Sequence, residues 1–137
     1  MRSEYLTSAT LKDLQKELLG LLIILDKVCR QNGIDYWIEA GTLLGAVRHQ
    51  GFIPWDDDID ISVPAGSYLQ LISALDAESK INKDIFLYYE HNDVPRNGCE
   101  KLATTKMMMQ MNGVMNACFI DIFPARIINK NNKEKDL

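Results

Sequence analysis

The stretch that most restricts the fold is "DIDISV", Asp58 to Val63, in which polar and apolar residues alternate strictly. Side chains two apart on a strand share a face, so Ile59 and Ile61 enter a core while Asp58 and Asp60 project together from the other side. A sheet covered on one face only is required. Pro64 ends the strand signal. Asp56 and Asp57 precede it, giving four aspartates in five positions after the turn "GFIPW".

The flanking segments fill out the domain. Thr10 followed by Asp13 resembles an N-cap with an acidic N3 residue, and Leu11, Leu14, Leu18, Leu21, Leu22, Leu25 and Val28 recur at helical spacing until Gly33. "IDYWIE" reads as a short strand. "GTLLGAVRHQ" reads as a helix opened by Gly41 and stopped near Gly51. "SYLQLISALDAESK" is helical, and "IFLYYE", "EKLATT" and "CFIDIFP" are three further strands, the last stopped by Pro124. This order predicts one α/β (α+β) domain, a mixed sheet flanked by helices, over residues 1–126, and a polar tail over 127–137. The Met107, Met108, Met109 and Met111 cluster is either a pliable binding surface or core and hairpin packing.

At 137 residues and a net charge of −4, the chain lacks the basic field that nucleic acid requires, so no nucleic-acid partner is expected. The longest apolar run, "LLGLLIIL", is too short to span a bilayer. The first residues lack the apolar centre of a secretory signal, which predicts a cytoplasmic protein. Cys29, Cys99 and Cys118 suit buried free thiols better than a disulfide framework, and a zinc site from His91, Cys99 and Cys118 matches no finger spacing.

Two carboxylates confined to one small space repel unless a cation lies between them, and hard oxygen ligands suit Mg²⁺ or Mn²⁺. Asp58 and Asp60 are therefore read as a metal pair. Asp56 and Asp57 have a turn or helix-capping role as their alternative. An EF-hand is excluded, because Ile61 and Ser67 stand where that loop needs glycine and glutamate. Upstream, Gly41 and Thr42 open a helix whose exposed N–H groups form a phosphate seat. Arg48 either completes a phosphate clamp or complements the helix C-terminus.

"GTLLGAVRHQGFIPWDDDIDI" together with "FIDIFP" closely resembles the LicD family of phosphocholine transferases, relatives of the fukutin-type phosphoribitol transferases. The resemblance implies a nucleotidyltransferase-like fold, in which a turn on a helix precedes an Asp-x-Asp strand and a later strand adds a third acid. By that likeness Gly41 and Thr42 fill the turn, Asp58 and Asp60 the pair, and Asp121 the third acid, with Lys101 in the family's lysine position. It further implies a Mg²⁺- or Mn²⁺-dependent transfer of phosphocholine from CDP-choline to a hydroxyl of a glycan or glycolipid, with Asp121 as candidate base. Family members continue well beyond this length, so a truncated core is expected. A nucleotide-sugar glycosyltransferase and a non-catalytic binding fragment are the alternatives. A choline pocket would use aromatic faces, and Trp37, Trp55, Tyr88 and Tyr89 are available for it or for the core. Because Ile120 and Ile122 flank Asp121, all three carboxylates converge if their strands are neighbours.

Overall fold

The computed structural model describes residues 10–89, 100–111, 113–126 and 128, with the side chains of Tyr89, Met109, Gln110, Met111, Val114 and Asn116 left aside. The first helix, α1 (Leu11–Asn32), starts where Thr10 and Asp13 cap each other reciprocally, and it ends at Gly33 in the left-handed conformation, φ 65°. Its apolar stripe of Leu14, Leu18, Leu21, Leu25 and Val28 is buried. The Tyr36 hydroxyl donates to Asp26 at 2.9 Å, and the Arg30 Nε donates to the same carboxylate at 2.7 Å. This contact ties the end of α1 to the segment that follows.

After α1 come β1 (Trp37–Ile38), α2 (Ala40–His49), β2 (Ile59–Pro64), a 3-10 turn (Ala65–Ser67) and α3 (Tyr68–Ile81). Strands β3 (Ile85–Tyr89), β4 (Glu100–Met111) and β5 (Val114–Ala125) complete the order. The five strands form one mixed sheet in the order β1-β2-β5-β4-β3, with only β2 and β5 parallel. Ile59, Ile61, Val63, Leu102, Ile120 and Ile122 of its central strands pack with Leu18 and Leu25 of α1 and with Leu71, Ile72 and Leu75 of α3. One face of the sheet is thus the core. The opposite face carries Asp60 and Asp121. This is the mixed-sheet α/β architecture that the order of helices and strands in the sequence predicts.

Several boundaries differ from the sequence expectation. β1 keeps two residues of the expected six, since it pairs only with β2 at the sheet edge. β4 runs through the methionine segment to Met111 and joins β5 at Gly113, φ 79°, so the Met run lies in a hairpin; the register shifts between Thr104 and Met108. Met107 is buried. β5 extends beyond Pro124 to Ala125. Trp55, one candidate for the core, is 73% exposed. His91, Cys99 and the polar tail lie outside the described residues.

The middle of helix α2 is anchored by close backbone approach rather than by a buried apolar side chain. Gly45 is its single buried residue. A Cβ there would lie 2.5 Å from the Gly51 carbonyl oxygen and 2.8 Å from the Ile53 nitrogen. Backbone cannot yield as a flexible side chain can. Gly45→Ala is therefore expected to lower stability by about 1–3 kcal/mol through overpacking, whereas Gly51→Ala, with open space around it, should change the melting temperature little. Equal melting temperatures for the two variants would refute the anchoring role of Gly45.

Candidate active site

The register places three charged groups, two carboxylates and one ammonium, in one row. Asp60 of β2 is the partner of Asp121 of β5, and Asp121 is the partner of Lys101 of β4. Paired residues in a ladder share a face, so the row stands on the side away from the core. The Lys101 ammonium makes an ion pair with the Asp121 Oδ1. It also lies 4.8 Å from the centroid of the Phe119 ring, within cation–π range. Tyr88 packs on Phe119 at 5.6 Å, so the lysine is held between aromatic surface and carboxylate. The register sets Asp60 beside Asp121, and Asp58 lies two positions before Asp60. Burial, followed by the charges of Asp58 and Asp121, pushes Asp60 up to about 6. Asp58 is also raised, by burial first and then by Asp56 and Asp57.

Asp56 stands against the start of α2. Its Oδ2 lies 2.8 Å from the point where a Cβ on Gly41 would sit, so the missing side chain at Gly41 makes room for this carboxylate. The carboxylates of Asp56, Asp57 and Asp58 offer oxygens within 4.8 Å of one another. The Gln15 amide of α1 donates to the Asp56 carbonyl at 2.8 Å, fixing the loop to the first helix. No sequence pattern reports that approach. Only the glycine at position 41 hints at it.

Thr42 has a more definite task than a phosphate seat alone. Its Oγ1 accepts from the Asp60 N–H at 3.0 Å, and the Glu39 N–H donates to the Asp60 carbonyl at 2.9 Å. Both polar groups of the Asp60 backbone are thereby tied to the start of α2. Ala40, between these anchors, has φ 49°, a left-handed conformation that a residue with a Cβ enters at a cost of about 1 kcal/mol or more. The anchors hold it there. Gly41, Thr42 and Asp60 are thus brought together, with the N-terminal N–H groups of α2 beside the acidic loop. Arg48 lies seven residues after Gly41 on the same helical face, exposed, with its Nε donating to His49 Nε2 at 3.3 Å. Among the described residues it makes no ion pair with the aspartates.

Cys29 and Cys118 are buried free thiols, pushed by burial up to about 11 and about 12, which leaves them protonated and unreactive at neutral pH. Among the described residues no helix is long and apolar enough to cross a membrane.

Comparison with known proteins gives one family match and several relatives. The family model for the LicD/FKTN/FKRP nucleotidyltransferase domain matches residues 33–136. The lipopolysaccharide cholinephosphotransferase LicD of Haemophilus influenzae is 41% identical over 63 residues, which are 46% of this chain and 24% of that protein. An uncharacterized protein of Rickettsia prowazekii is 73% identical over 33 residues, 24% of this chain and 12% of its own. The human ribitol 5-phosphate transferase FKRP is 55% identical over 31 residues, 23% of this chain and 6% of its own. The chain therefore spans a quarter or less of each of these relatives.

The raised carboxyls have a consequence for stability. Asp60 titrates near 6 in the folded chain against an ordinary 3.8, so between these values the folded state binds more protons than the unfolded one. Stability should then fall as pH rises from about 4 to 6. Melting temperatures across that range, in chelator-treated buffer, should show a decline that Asp60→Asn reduces. An unchanged decline in the variant would show that Asp60 is not its source.

Proposed function

The chain belongs to the LicD/FKTN/FKRP family, and from that membership we propose that it forms the metal- and nucleotide-binding part of a phosphotransferase. The reaction we propose moves phosphocholine from CDP-choline to a hydroxyl of a cell-surface glycan or glycolipid. The observation that carries the reading is the cross-strand pairing of Asp60 with Asp121 beside Asp58. Carboxylates that resist joint ionisation are suited to a divalent cation, and oxygen donors of this kind fit Mg²⁺ or Mn²⁺. Asp58, Asp60 and Asp121 would hold it, with Asp56 close by. When bound, the cation neutralises the diphosphate and stabilises the departing CMP.

The chain's own groups divide the remaining work. The N–H groups at the start of α2, with Gly41 leaving the approach open, receive a phosphate oxygen. Lys101 offsets charge at Asp121, and Arg48 supplies a further cation along the same helix face. The acceptor oxygen attacks the phosphorus of the phosphocholine group, its proton passes to Asp121, and the bond from phosphorus to the CMP oxygen breaks, CMP leaving with the electron pair.

Calorimetric titration with CDP-choline tests this directly. Binding should require Mg²⁺ or Mn²⁺ and weaken at least tenfold in Asp60→Asn; binding that survives chelation, or equal affinity for UDP-glucose, would contradict it. Adding the glycan acceptor should release CMP. Arg48→Ala should cost about 1.5–3 kcal/mol of nucleotide affinity, the value of a charge-assisted bond, with no change in melting temperature. Loss of stability without loss of affinity would assign Arg48 to the helix end instead.

A further inference from the structure

One row along the sheet from the acidic residues, Trp37, Ser62 and Phe123 lie side by side across β1, β2 and β5. Ser62 follows Asp60 by two positions and Phe123 follows Asp121 by two, so this row projects from the carboxylate face as well. Ser62 is buried, while Trp37 is 42% and Phe123 45% exposed. The outer two strands are about 10 Å apart across β2. Two half-exposed rings therefore stand on either side of a small hydroxyl floor.

Glu39 gives this slot its sign. The Trp37 indole N–H donates to Glu39 Oε1 at 2.6 Å, and the Glu39 N–H bonds to the Asp60 carbonyl at 2.9 Å. The Glu39 carboxylate thus sits at the edge of the Trp37 ring, on the side toward the aspartates. Two π faces and a carboxylate attract an organic cation. A neutral polyol would find few hydrogen-bonding groups there, and a nucleobase would gain stacking but leave the carboxylate uncompensated.

We infer that Trp37, Phe123 and Glu39 form an organic-cation subsite that takes the trimethylammonium end of the transferred group, an assignment that rests on the phosphocholine reading above. Successive rows on one face are about 6.6 Å apart along a strand. A short two-carbon tether bridges that interval, placing the phosphate at the aspartates and the ammonium in the slot. The same geometry discriminates against ribitol phosphate, which carries no cation.

The test separates the subsite from the transferase reading. In the parent chain with Mg²⁺, CDP-choline should bind about tenfold more tightly than CDP or CDP-ribitol, and Trp37→Leu, Phe123→Leu and Glu39→Gln should each bring that ratio toward one. Trp37→Phe should retain most of the preference, which distinguishes ring contact from a merely structural role. Trp37 and Trp55 are the two tryptophans, so Trp55→Phe leaves Trp37 as sole fluorophore, and tetramethylammonium should quench it saturably where glycerol does not. Binding of CDP without a choline preference, or no quenching, overturns the subsite. Saturable quenching without any CDP binding supports the subsite and overturns the transferase reading alone.

Discussion

The in-register parallel pairing of β2 with β5 is the constraint on which the rest of the structure depends. It sets Ile59 against Ile120, Asp60 against Asp121 and Ile61 against Ile122. A slip of β2 by one residue would turn Asp60 into the core and Ile59 and Ile61 out of it. Each buried isoleucine contributes about 1.5–3 kcal/mol. The repulsion of two carboxylates a few ångströms apart is of order 4 kcal/mol at the effective dielectric of a protein surface, and less where water reaches them. Burial of Ile59 and Ile61, together with the cost of putting Asp60 into an apolar core, outweighs that repulsion. The packing of the core face therefore holds two charges side by side on the opposite face, and Lys101 relieves one of them.

Around this pairing, the remaining elements place polar groups without adding much hydrophobic burial. α2 touches the rest of the domain through Gly45 and leaves Leu43, Leu44 and Val47 substantially exposed. Its N-terminus is fixed instead by the two hydrogen bonds to the Asp60 backbone. The loop before β2 is held from the other side by Gln15. A helix, a loop and an edge strand thus converge on Asp60, and the strained φ of Ala40 is sustained by the same contacts. That arrangement gives a rigid row of charges at the centre and an open approach from the sheet surface.

The sequence carried the sheet logic well. The capping box, the apolar stripe of α1 and the alternation around Asp58–Val63 and Phe119–Phe123 are local signals, and local periodicity survives into the fold. What was not legible depends on tertiary approach. β1 shrank because an edge strand keeps only the residues its single neighbour pairs. The methionine run joined β4 because hairpin pairing with β5 supplied hydrogen bonds that no propensity of Met announces. Asp56 faces Gly41 from fifteen positions along the chain, with most of α2 between them, and the Thr42 hydroxyl spans from helix to strand; neither pairing has a spacing signature. The slot of Trp37, Ser62 and Phe123 requires the strand order β1-β2-β5, which no segment encodes by itself.

The central claim is that the repelling carboxylates are a cation site, with Asp60 and Asp121 both needed. Titration of Mn²⁺ into chelator-treated protein, followed by electron paramagnetic resonance of the free ion, tests it most directly. The account predicts saturable Mn²⁺ binding that weakens at least tenfold in Asp60→Asn and in Asp121→Asn while each variant still folds. Unchanged Mn²⁺ affinity in either folded variant would contradict it.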